Sequence, residues 1–171
     1  WLEKKQHLTT DEAATDPARY ALVEVVNIHD AAIVFAPIHR VLFQTDPSRW
    51  FAEAEQELFD PNGREITLVA GEKQCRLTAR GDTIGALIAN VEQFCRVYLQ
   101  RHRGELDYIH GDDALRRLVN RPDAMGFMPR AFDKSELFGF ICQWGVLPRK
   151  TFSMGEANEK RYYLEARRIT R

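Results

Sequence analysis

Residues 82–104, DTIGALIANVEQFCRVYLQRHRG, are the stretch on which the fold turns. Ile84, Leu87, Ile88, Val91, Cys95 and Tyr98 recur three and four positions apart, which places them on one face of an α-helix. Asp82-Thr83 supplies a start, because a side-chain oxygen there accepts from the first free amides. Arg101, His102 and Arg103 fall in the last turn, against the negative end of the helix dipole, and Gly104 stops the helix. A helix with a one-sided apolar stripe must lie on another hydrophobic surface, and the flanking sequence supplies strands.

On the upstream side, residues 66–69 and 75–77 flank Ala70-Gly71-Glu72 and predict a β-hairpin. Before it, Asp46-Pro47-Ser48 opens a helix whose stripe is Trp50, Phe51, Ala54 and Leu58, broken by Asp60-Pro61-Asn62-Gly63. On the downstream side, residues 107–110 predict a short strand, and residues 112–121 a helix with Leu115, Leu118 and Val119 inward and Pro122 past its end. Residues 125–128 predict another strand. Asp133 caps a further helix carrying Leu137, Phe138, Ile141 and Trp144, ended by Gly145.

The two ends read differently. Residues 1–17 are polar, with Thr10-Asp11-Glu12 capping a short helix that stops at Asp16-Pro17. Residues 20–28, YALVEVVNI, are nearly all apolar and predict a central strand covered on both faces. His29-Asp30 is a turn, residues 33–35 a short strand closed by Pro37, and residues 162–169 a final strand. The resulting expectation is an α+β (mixed α/β) fold, a central mixed sheet with helices packed on it, in a single domain spanning residues 1–171. The start at Trp1, inside a polar segment, predicts that the chain is the C-terminal part of a longer protein.

Composition narrows the function classes. The 171 residues are 44% hydrophobic and 29% charged, ordinary for a soluble globular domain, and the net charge is -1. No global positive field draws the chain to nucleic acid, and no apolar run reaches the roughly 18 residues of a membrane span. Cys75, Cys95 and Cys142 show no zinc spacing and predict buried thiols in a reducing cytoplasm. No metal site is implied, and the sequence leaves the cofactor unknown.

Positive charge is nevertheless concentrated at one end. Residues 149–171 hold seven Lys or Arg against three Glu, a local net of +4. Within them, Arg149, Lys150, Thr151 and Ser153 precede Gly155 and could cradle an anion, although the spacing is not that of a P-loop. The alternative is a solvated loop that follows a helix. His39-Arg40 and His29-Asp30 lie at strand edges, where ligand-facing residues gather. Adjacent strand residues point to opposite faces, so His29 and Asp30 form no dyad, and Asp30 is explained by turn chemistry. His110-Gly111-Asp112-Asp113 offers carboxylates to a hard metal, but capping of the next helix by Asp112 explains it more simply.

Two stretches carry a family resemblance. VNIHDAAIVFAPIHRVLF (26–43) holds Asn27, Asp30, Pro37, His39 and Arg40, and VLPRKTFSMGEANEKRYYLEARRI (146–169) holds Pro148, Lys150 and Thr151. Together they resemble the C-terminal half of the bacterial family called domain of unknown function 1015. The resemblance implies a longer protein whose N-terminal half carries a glycine–histidine–histidine motif similar to the nucleotide-binding box of ParB-like proteins. Some of those bind or hydrolyse nucleoside triphosphates, and relatives phosphorylate small molecules. The missing half is then a partner, and catalytic machinery located there is absent here.

Two expectations follow. The chain either contributes an anion or nucleotide-phosphate contact (His39, Arg40, Arg149, Lys150, Thr151, Ser153) to such a protein, or it is a non-catalytic packing or homodimerisation module. Binding of nucleic acid has only Arg116, Arg117 and Arg121 to support it. The two expectations diverge on whether His39, Arg40, Lys150 and Thr151 share one concave surface.

Overall fold

The computed structural model describes residues 1–21 and 25–155. The chain divides into two units, residues 1–28 with 157–171, and residues 29–156.

In the first unit, α1 (Leu2–Lys5) and α2 (Thr10–Thr15) lead to a 3₁₀ turn at Pro17–Arg19. Thr9 caps α2 through a reciprocal capping box with Glu12, one residue earlier than the sequence suggests. Asp16 ends α2, caps the 3₁₀ turn by accepting from the Ala18 amide at 2.8 Å, and pairs with Lys4. The expected central strand over 20–28 is not found among its described residues. Tyr20, Ala21 and 25–28 form no strand, and Val25 is 92% exposed. An apolar run becomes a central strand only where partners flank it on both sides, and that position belongs to a later segment. Residues 22–24 of that expected strand, and the whole final strand expected over 162–169, lie outside the described residues.

In the second unit, β1 (Phe35–Phe43) is followed by α3 (Pro47–Leu58), β2 (Phe59–Ala70), β3 (Lys73–Ala79) and α4 (Ile84–Arg101). Then come β4 (Glu105–His110), α5 (Asp112–Leu118), β5 (Ala124–Met128), α6 (Leu137–Trp144) and β6 (Phe152–Met154). The sheet order is β3-β2-β5-β1-β4, with β6 pairing the start of β1. The fold is α+β, and every described pairing is antiparallel rather than mixed.

Pro37 does not close a strand; it lies inside β1. At Pro37 the one pairing is with Phe152 of β6, whereas pairing with β4 starts at Ile38 and with β5 at Arg40. A proline without an N–H is tolerated where one side of the strand is unpaired. Likewise, residues 60–63 break the helix but continue as β2, where the register slips between Phe59 and Arg64.

The period-two alternation of β1 sorts its side chains between two layers. Leu42 joins Trp50, Ala54, Leu87, Val91, Phe94, Cys95, Tyr98 and Phe127 beneath α3 and α4. Val41 joins Val69, Leu115 and Val119 beneath α5. Each fully buried side chain of this size contributes about 1.5–3 kcal/mol. α5 comes close because Gly126 faces it: a Cβ there would lie 2.6 Å from a Leu115 methyl. Thr83 caps α4 by accepting from the Ala86 amide, as its sequence predicts.

Four expected inward residues are exposed instead. Leu118 lies on the outer side of α5, and Phe138, Ile141 and Trp144 of α6 are 60%, 40% and 56% exposed. α6 rests on the molecule through Phe140, whose ring stands where a side chain at Gly85 of α4 would lie. That contact places the chain following α6 against α4. Of the cysteines, Cys95 is buried while Cys75 and Cys142 are exposed, since β3 is an edge strand and α6 buries no residue. Among the described residues no helix is long and apolar enough to cross a membrane.

Candidate functional site

Arg40 is the polar centre of the second unit. It lies on β1 between β4 and β5, opposite Tyr108 and Phe127, and is 1% exposed. A buried guanidinium requires a partner for its charge and acceptors for its donors. Nε and Nη2 both donate to Glu92 Oε1 of α4, at 3.0 and 2.8 Å. Nη1 donates to the Ile38 carbonyl at 2.6 Å, and Nη2 also to the Arg149 carbonyl at 3.3 Å. The guanidinium carbon lies 5.3 Å from the centre of the Tyr108 ring, within cation–π range. Tyr108 donates its hydroxyl to Glu92 Oε2 at 3.0 Å. Burial, then the charge of Glu92 and this hydrogen bond, push the Tyr108 hydroxyl above its ordinary pKa and keep it a donor.

Over this network opens a cleft of about 370 Å³, lined by Ala89, Glu92, Arg96, Tyr108, Pro148, Arg149 and Lys150. Ala89, Glu92 and Arg96 share one side of α4, being three and four residues apart. Pro148, Arg149 and Lys150 form the opposite lip. Arg96, Arg149 and Lys150 are exposed, and none has an ion-pair partner among the described residues. The carboxylate of Glu92 is already matched by Arg40, so the cleft presents three cations uncompensated among the described residues. Such a surface attracts phosphate or carboxylate, and the guanidiniums offer paired donors to it.

The lip is a tight turn. Thr151 is buried and donates its hydroxyl to the Pro148 carbonyl at 2.6 Å. Between those two residues Lys150 takes φ +59°, the left-handed region that a residue with a Cβ rarely adopts.

The sequence pattern of the family described as "Protein of unknown function (DUF1015)" matches residues 1–167. The chain belongs to this family. No curated protein matches its sequence. Two solved structures share its fold. One is described as a free serine kinase in complex with AMP, with TM-score 0.59 and 16% identity over 77% of this chain. The other, a conserved hypothetical protein from Pyrococcus furiosus, has TM-score 0.53 and 17% identity over 78%. The DUF1015 chain spans 58% and 61% of those two proteins.

Within the DUF1015 chain, the residues singled out from sequence separate. Arg149 and Lys150 form the lip of the cleft, and Arg40 lies beneath it. Thr151 braces the lip from inside. Ser153 lies on β6, paired with Ala36. His39, next to Arg40, faces the other side of the sheet. Its Nε2 lies 2.7 Å from Asp112 Oδ1 of α5, and its buried Nδ1 has no hydrogen-bond partner among the described residues. Burial pushes the His39 pKa below its ordinary 6.5, outweighing the hydrogen bond and charge of Asp112, which act upward. Asp112 is therefore not the helix cap; Gly111 holds that position, and the carboxylate serves His39. Among the described residues, no group of three or more His, Cys, Asp or Glu is placed to hold a metal ion.

His29 is exposed, and Asp30 closes a turn by accepting from the Ala32 amide at 2.9 Å. His110 is half-buried on β4, opposite Ile38. Sequence reading passed over Glu92, Arg96 and the role of Tyr108. The available signal was Glu92 and Arg96 one turn apart at the border of the apolar stripe of α4, which reads equally well as a solvated i, i+4 pair.

Proposed function

We propose that the cleft between α4, β4 and residues 148–150 binds the phosphate of a nucleotide or phosphorylated metabolite, and that the chain contributes this contact to a longer protein. One observation carries the reading: Arg96, Arg149 and Lys150 converge on one concavity whose single carboxylate is neutralised from below by Arg40. The shared fold of a kinase solved with AMP supports it. The test is thermal melting of the full chain with ATP, AMP, pyrophosphate and phosphate. At least one of these raises the melting temperature, and Lys150→Ala weakens that ligand about tenfold, as expected for one lost charge-assisted contact. A panel without any shift overturns the reading.

The exposed apolar side of α6, with Phe138, Ile141 and Trp144, favours a second reading, in which the chain is a packing or dimerisation module. Light scattering on the chain at rising concentration tests it, and a strict monomer overturns the dimer.

A further inference from the structure

The lip of the cleft is held from underneath by a residue that does not line it. Lys150 is in a left-handed conformation, and such a conformation costs on the order of 1 kcal/mol and persists where the surroundings over-determine it. Two hydrogen bonds bracket it. Thr151 ties the turn to its own start at Pro148. Arg40 holds the carbonyl of Arg149, the peptide oxygen immediately before Lys150. Thr151 closes the turn, β6 anchors its exit by pairing Phe152 with Pro37, and Arg40 ties its middle to β1.

The same guanidinium binds Glu92 through two nitrogens, the Ile38 carbonyl through the third, and lies over the Tyr108 ring. It thus fixes α4, β4 and the lip, the three walls of the cleft, relative to one another. It also neutralises Glu92, without which the carboxylate would oppose an incoming anion.

We propose that Arg40 is the positioning residue of the cleft. It sets the conformation of residues 149–151 and keeps Glu92 from repelling an anion, while touching no ligand itself. The effect on anion binding rests on the phosphate reading above; the effect on the lip does not.

Arg40→Lys keeps a charge beside Glu92 but loses the fork that reaches several acceptors at once. Arg40→Gln combined with Glu92→Gln removes both charges, leaves neither one buried alone, and serves if Arg40→Lys fails to fold. Amide hydrogen exchange of the unliganded full chain reads the lip, and calorimetry with inorganic pyrophosphate reads the cleft. The expected result is exchange at residues 149–151 at least tenfold faster in either variant, with protection of α4 near Val91 retained. Pyrophosphate binding weakens by at least tenfold. Exchange at 149–151 unchanged from wild type overturns the positioning role, whatever pyrophosphate does. A loosened lip in a chain whose wild type binds no pyrophosphate upholds the positioning role and overturns the phosphate reading instead.

Discussion

His39 and Arg40 are neighbours in sequence and equally buried at 1% exposure, yet they serve opposite layers of the sheet. Arg40 points to the α4 face, where a carboxylate and two carbonyls accept from it, and it lies beneath a cleft lined by Arg96, Arg149 and Lys150. His39 points to the α5 face, where one carboxylate meets Nε2 and, among the described residues, nothing meets Nδ1. The first face adds a satisfied ionic network to the larger apolar layer, and the second is a smaller apolar layer with one half-satisfied ring. A buried polar residue on a strand thus acquires its role from the layer above it, not from its chain neighbour.

Disrupting the Arg40 face carries the largest effect. Arg40→Ala leaves Glu92 without its counter-charge beneath the cleft, and removal of one partner of a buried pair costs about 3–5 kcal/mol. Urea denaturation is expected to show that loss. A loss below about 1 kcal/mol, the scale of exposed pairs, erases the contrast between the two faces.

The α5 face responds to volume. Gly126→Ala places a Cβ 2.6 Å from a Leu115 methyl and overpacks the layer containing Val41 and Val119. The expected cost is about 1–3 kcal/mol, measured the same way. Leu115→Ala in the same chain recovers part of it if the clash is the cause.

The smallest effect separates the faces by pH. Folding holds the His39 pKa below 6.5, so the unfolded state takes up a proton that the folded state refuses. The contribution of His39 is intact above about pH 6.5 and is lost as the pH falls from there through the folded value. His39→Gln is expected to flatten the fall in melting temperature between roughly pH 7 and 5. Curves that stay parallel to wild type show that His39 does not titrate with folding.

Helices were legible in the chain wherever a cap and a stripe coincided. Thr83 with Ile84, Leu87, Ile88 and Val91 identified α4, and Asp46-Pro47 with Trp50, Ala54 and Leu58 identified α3. Strand rank was not legible. The valine-rich run at 20–28 reads as an interior strand, yet β1, which contains Pro37, is the strand paired by β4, β5 and β6. Apolar content measures willingness to be buried, whereas the number of neighbours depends on pairings between segments far apart in sequence. Part of the candidate site was legible too. Arg149 and Lys150 stand out as charges beside hydroxyls, and Arg40 as a cation at the end of an expected strand. Glu92, Arg96 and Tyr108 do not, because each is unremarkable in its own element and meets the others only across elements.

Local periods are written in the chain itself: where helices start and which stripe they bury. That β1 runs on past Pro37, so that His39 and Arg40 face opposite ways, did not show in the sequence. What each of them meets came only from the assembled sheet and helices. Glu92 lies 52 residues from Arg40, and Asp112 lies 73 residues from His39. A short-range pattern fixes the direction of a side chain, but its partner is set by the register and layering of the sheet, which are properties of the whole chain.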